Sequence, residues 1–417
     1  MSQRLARGDE PTTPAKEAST MESTPTIIDF PLAPPGTMGP PAEYVQLRAH
    51  CPVAGLDIDE AATAWYVTRY ADVRSLIADP RLIRPTINDW PDRPDLDDKG
   101  PGLTTMMELE GPEHTALRRA LTDAFSVRTV RRLYQPHLRQ LADGLLDSIA
   151  ASGPPGDLVT GFAEPFPLLM MCDLVGMPYE EREYFLPMAD ACLGAMQTLD
   201  EGRRVTGELR AFVAAQIERK RREPADDLLT YLVRECDGGV LTEEAVMSFG
   251  LSMLVAGYRT TTMFVANALH TLLTEPGQYA RLRDHRELMP TAVEELLRYI
   301  PVMNGVVVLL ATEDIELPGH TFHKGEGIHI VLAAANRDES VFSDADRLDL
   351  SRVVNPHIIF GRGAHNCIGS HLARAELTVA LEAVLDRFPA LHLIHDQPPT
   401  WDDESPAKSP LTMPVGW

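Results

Sequence analysis

Phe360-Gly361-Arg362-Gly363-Ala364-His365-Asn366-Cys367-Ile368-Gly369 is the stretch that governs how the rest of the chain is read. Glycines at 361 and 363 before the cysteine, and at 369 after it, permit tight turns and close approach to a flat ligand. The residues that follow, SHLARAELTVALEAVL, carry amphipathic spacing and predict a helix from about Ile368 to Arg387. Cys367 then stands at a helix N-terminus. There, unpaired backbone N–H groups and the positive dipole end favour a thiolate. Taken alone, the loop also suits a buried structural cysteine beside a glycine-rich turn.

The other cysteines, Cys51, Cys172, Cys192 and Cys236, are scattered and never form CxxC. That argues against a zinc site or a disulfide framework and reads as small buried apolar residues. A thiolate that accepts hydrogen bonds at position 367 suits axial ligation of haem iron, where its electron density favours O–O cleavage.

Composition sets the outer bounds. The chain has 417 residues, of which 44% are hydrophobic, enough for a large core. A net charge of −23 excludes nucleic acid as the partner, because phosphate binding needs basic surface. No apolar run reaches about 18 residues unbroken, so no membrane span is expected. The N-terminus lacks the apolar centre of a secretory signal, and a cytoplasmic protein is expected. Residues 1–30, rich in Pro, Thr and Glu, read as a disordered leader. Residues 31–417 read as a single catalytic domain, with no repeat and no Gly/Ser linker to divide them.

Periodicity predicts strands at 64–68, 305–312 and 328–332, and helices at 70–78, from Pro112, and at 129–152, 165–176, 180–197, 200–222 and 226–235. One helix of roughly thirty residues is expected from Thr242 to Leu273, crossing the core. Residues 84–110, rich in Pro, Asp and Gly, form a long loop of the kind that is usually functional.

The cysteine loop resembles that of the cytochrome P-450 superfamily, FGxGxHxCxG, with every fixed position filled. The likeness covers nearly all of residues 40–417, with further motifs in the family's order, and is to its bacterial, soluble, class I haem-thiolate monooxygenases. It implies a mainly α fold with a minor β part: a triangular helical prism with a long central helix and small β-sheets. It also implies haem b (iron protoporphyrin IX), with Cys367 as the iron ligand and Phe360, Gly361, Gly363, His365 and Gly369 around it. Glu295-Leu296-Leu297-Arg298 matches the family's ExxR helix. Joined by Arg352, with His357 nearby, it is expected to brace the cysteine loop. His114 and Arg118, in Gly111–Arg118, match residues beside the haem propionates. Ala256-Gly257-Tyr258-Arg259-Thr260-Thr261 matches the oxygen-side helix. Ala256 and Gly257 open a groove there, and Thr260 matches the threonine that hydrogen-bonds iron-bound oxygen, with Thr261 beside it.

Two departures stand out. Arg259 replaces the acid of AGx(D/E)TT, and arginine stays protonated throughout the working pH range. It either binds a substrate carboxylate or turns outward, leaving protons to travel through water and Thr260 or Thr261. Alternatively, the reaction tolerates an altered relay, as in oxidative coupling. Leu309 stands where the family's strand carries a propionate-binding arginine.

The distal pocket is expected to draw on Trp90, Met106, Met107, Tyr258, Met303, Asn304, Val306 and Leu411, for a medium-sized, partly aromatic natural product. Arg118, Arg119, Arg128, Arg131 and Arg132 form a basic patch that suits an acidic redox partner. By resemblance that partner is a ferredoxin with its NADPH- or NADH-dependent reductase. The resulting expectation is a monooxygenase of secondary metabolism. Peroxide-driven catalysis, oxidative C–C or C–N coupling, and a non-catalytic haem sensor are its alternatives.

Overall fold

A computed structural model describes residues 27–28, 39–59, 62–85, 104–193, 199–302, 306–401 and 409–417. In chain order the elements that matter to the site are β1 (Ile27–Ile28), β2 (Val53–Asp59), β3 (Ala62–Val67), α1 (Tyr70–Leu76) and β4 (Leu82–Ile83). Then come α2 (Gly111–Leu121), α3 (Gln135–Ser152), α4 (Arg182–Leu193), α5 (Leu199–Arg222), α6 (Glu243–Ser252), α7 (Arg259–Thr274) and α8 (Met289–Tyr299). The last are β5 (Val306–Ala311), β6 (Gly327–Val331) and α9 (Ser370–Arg387). Helices dominate, as expected.

The principal sheet has six strands in the order β1-β2-β3-β6-β5-β4. Its central strand β6 reads GIHIV and is buried at all five residues, the pattern of a strand covered on both faces. β3 runs parallel to β6 with Trp65 opposite Ile328, and β5 runs antiparallel to β6 with Leu309 opposite the same residue. α1 covers one face, packing Val73 and Leu76 against Val67, Leu309, Ile328 and Ile330. Ile27–Ile28 lies inside the stretch expected as a disordered leader, yet it pairs with Gly55 and Leu56 as a parallel edge strand. The rest of 1–30 lies outside the described residues.

The helical layer is built around α9, which packs on α3, α7 and α8. Leu372, Leu377, Leu381, Val384 and Leu385 are buried on it, each worth about 1.5–3 kcal/mol of transfer free energy. α3 stops at Gly153, whose φ of 73° takes the chain out of the helix.

The central helix departs from expectation. Thr242 caps it, accepting from Ala245 N–H at 3.1 Å. The helix then breaks into α6, a π-type turn over Met253–Gly257, and α7. Tyr258 sits at the break with φ −115°. The carbonyl of Ala256 is taken by the Thr260 hydroxyl at 3.0 Å, a side-chain bond that bends a helix locally. Two helices joined by one wide turn replace the single rod.

Candidate active site

The cysteine loop closes on itself through backbone bonds. Cys367 N–H donates to Phe360 O at 2.8 Å, Gly361 N–H to Ile358 O at 2.9 Å, and Asn366 N–H to Gly363 O at 3.2 Å. Gly363 is required twice over. Its φ is +77°, and a Cβ there would stand 3.0 Å from Ala78 Cα, so the loop lies directly on the end of α1. Gly369 N–H donates to the sulfur, and the Arg118 and Arg374 guanidiniums also favour its charge. The residue itself is exposed, and crowding of protein atoms around the sulfur outweighs these three and pushes the thiol up. A cation at the sulfur is what would deprotonate it outright.

Beneath the loop lies a buried clamp. Glu295 and Arg298 are 0% and 2% exposed. Arg298 Nε and Nη2 each reach a Glu295 oxygen at 2.8 Å, and Arg352 Nε adds a bond at 3.0 Å. Asp349 N–H and Asn355 Nδ2 complete the shell at 2.9 and 3.1 Å. Arg298 also donates to Asn336 O and Ala345 O, tying α8 to the segment that precedes the loop. Breaking such a buried pair by removing one partner costs about 3–5 kcal/mol.

His357 does not join this clamp. Its Nε2 lies 2.9 Å from Glu294 Oε2, and Arg374 grips the same carboxylate at 2.6 and 2.9 Å. Burial acts to raise Glu294, but the bonds from His357 and Arg374 prevail and hold it at about 2. Arg374 lies 4.6 Å over the Phe360 ring, so this second pair fixes the start of the loop. Glu294 and Arg374 escaped the sequence reading. A second acid directly before the ExxR helix's own acid was the only signal.

A polar cluster borders the loop on the α2 side. The His114 and His365 rings stack at 4.3 Å, and His365 Nε2 lies 3.1 Å from Glu110 Oε1. Burial, then the charges of His365 and Arg118, push His114 down to about 4. Arg118 is lowered by burial and offset by Cys367, which places it on the sulfur's side of α2.

On the other side stands the interrupted helix. Ala256, Gly257, Arg259 and Thr260 are half-buried, whereas Tyr258 is 1% exposed. Tyr258 was expected in the pocket. Instead its hydroxyl donates to Asp190 on α4 at 3.2 Å, and Arg259 Nε lies 3.5 Å from the same oxygen. Arg259 therefore turns outward to an ion pair. Thr261 donates to Glu376 Oε2 on α9 at 3.3 Å, and burial pushes that carboxyl up to about 8 against the pull of Thr261.

Among the remaining expected contacts, Met106 is buried with its N–H on Ser252 Oγ at 2.7 Å. Met107 and Leu411 are 41% and 44% exposed. Val306 opens β5, and Trp90, Met303 and Asn304 lie outside the described residues. Leu309 is buried in the sheet cluster.

The donor set fits a haem. One thiol carries an N–H to its sulfur, glycines flatten the loop around it, and imidazoles and a guanidinium border it for carboxylates. Comparisons agree. The family model described as Cytochrome P450 matches residues 194–414. Nocardicin C N-oxygenase of Nocardia uniformis subsp. tsuyamanensis is 36% identical, over 93% of this chain and 98% of that one. The solved mycinamicin VIII C21 methyl hydroxylase MycCI of Micromonospora griseorubida superposes with TM-score 0.84 at 32% identity, covering 94% of this chain and all of that one. CxnD, a cytochrome P450 for C–S bond formation, gives 0.85 at 28% identity, covering 94% of this chain and 98% of that one. By sequence, fold and site, the chain belongs to the cytochrome P450 family and is a haem-thiolate monooxygenase.

Proposed function

We propose that the chain, as a single catalytic unit over residues 31–417, binds haem b through Cys367 and oxidises a medium-sized, partly aromatic natural product with electrons from a ferredoxin. The observation that carries this reading is the glycine loop that presents the Cys367 sulfur, with Gly369 N–H on it, above the buried Glu295–Arg298–Arg352 clamp. When bound, the haem supplies dioxygen activation and one-electron chemistry.

The chain's own groups do the rest. Gly369 N–H and Arg118 stabilise negative charge at the sulfur. His114, Arg118 and His365 are placed to bind the haem carboxylates, where charge-assisted bonds are strong. Thr260 already donates to Ala256 O, so its lone pairs are left to accept from a proton-bearing water. Arg259 stays charged on Asp190 and passes no proton. Glu376 takes the role of reservoir. Its carboxyl keeps a proton at neutral pH at an atom 3.3 Å from Thr261.

The relatives named above differ in outcome, an N-oxygenase, a methyl hydroxylase and a C–S bond former, so likeness does not select the product. Substrate selection is assigned to the surroundings of Met106. The exposed Arg119, Arg128, Arg131 and Arg132 offer an acidic ferredoxin a basic surface.

The test is turnover of an aromatic polyketide and cyclic dipeptide panel with ferredoxin, reductase and NADPH, beside hydrogen peroxide alone. Product only with the redox chain is expected, and an Arg119→Glu/Arg131→Glu variant should slow reduction roughly tenfold at low salt. Product from peroxide alone, or reduction indifferent to these arginines, contradicts the reading.

A further inference from the structure

The buried Leu309 removes a cation from the haem's carboxylate side, and the sheet shows where another comes in. β4 and β5 are antiparallel, with Leu82 opposite Ala311 and Ile83 opposite Leu310. The next step in this register sets Arg84 beside Leu309. Directly opposed residues share a face of the sheet, with Cβ atoms about 4.5–5.5 Å apart. Arg84 thus starts from the position that an arginine at 309 would have used, one strand over.

Its surroundings agree. Arg84 N–H donates to Glu110 Oε1 at 3.2 Å, the same oxygen that His365 Nε2 approaches to 3.1 Å. His365 in turn stacks on His114. Arg84, Glu110, His365 and His114 are therefore one connected cluster. Burial lowers the Arg84 guanidinium, with Glu108 and Glu110 acting against it. Among the described residues that guanidinium has no hydrogen-bond acceptor. A half-buried cation on a backbone tied through Glu110 to the stacked imidazoles suits an anion of matching planar shape, which a carboxylate is.

We propose that Arg84 is a haem-binding residue of this chain: its guanidinium supplies, from the neighbouring strand, the contact to a haem carboxylate that Leu309 has given up. The proposal rests on the haem-thiolate reading.

The experiment uses the holoenzyme and the series Arg84→Lys, Arg84→Ala and Arg84→Glu. Haem loss to excess apomyoglobin and the ferric/ferrous midpoint potential are measured for each. Haem loss should quicken in the order wild type, Lys, Ala, Glu, by roughly tenfold for Ala, the worth of one charge-assisted bond. The potential should stay near wild type in Lys and fall through Ala to Glu as positive charge near the iron is withdrawn. Loss rates and potentials that do not follow side-chain charge overturn the proposal, because a merely structural residue would not grade them so. The carbon-monoxide spectrum of each variant separates this outcome from failure of the thiolate reading, since it reports the sulfur ligand independently of position 84.

Discussion

Glu376, like Glu295, is a carboxyl that this site keeps out of water. Its ordinary value of 4.5 is raised to about 8 by burial. The sign of the consequence follows directly. Between those values the folded protein holds a proton that the unfolded chain has released, so stability is full below about 4.5 and is lost as pH rises toward about 8. Urea unfolding of the holoenzyme should therefore weaken by a few kcal/mol across that window, a slope that Glu376→Gln removes. An unchanged slope in Glu376→Gln would mean that the carboxyl is charged and satisfied as it stands. The same substitution should lower the coupling of NADPH to product, since an amide holds no exchangeable acid proton next to Thr261. Nothing in the linear sequence paired these two residues. They are 115 positions apart, and although Thr261 belongs to a marked motif, Glu376 sits in an ordinary helical pattern.

At the scale of elements, the break between α6 and α7 decides which way the side chains around it point. A π-type turn inserts an extra residue into the helical phase. A straight 3.6-residue reading therefore loses the side-chain phase at Tyr258, and its pairing with Asp190 was not legible. The outward turn also makes Arg259, Tyr258 and Asp190 a latch that holds α4 on the interrupted turn. Its ion pair is partly exposed and so worth roughly 0.5–1 kcal/mol. Flash photolysis of the ferrous carbon-monoxide complex should show ligand re-entry from solvent about two- to fivefold faster in Asp190→Ala, the factor that such an energy represents. The exchanged pair Asp190→Arg/Arg259→Asp should return it toward wild type. Re-entry unaffected by either change would show that α4 is held by packing alone.

Over the whole molecule, one short motif carried most of what could be known beforehand. The cysteine loop, the ExxR helix and the order of the other motifs pointed to the helical architecture with its small sheets, which the elements and the structural neighbours show. What stayed hidden was long-range: Glu294 with Arg374 and His357, Asp190 with Tyr258, and Arg84 beside Leu309, pairings fixed by how elements pack and not by spacing along the chain. Among the described residues no helix is long and apolar enough to cross a membrane. The protein's chemistry thus converges on one sulfur, held by Gly369 N–H above the buried Glu295–Arg298–Arg352 clamp. The most direct measurement is the carbon-monoxide difference spectrum of reduced wild-type protein and Cys367→Ala. A strongly red-shifted Soret band in the wild type, absent from the variant, is the expected result. An unshifted band in the wild type, or a red-shifted band that survives loss of the sulfur, would contradict thiolate ligation by Cys367.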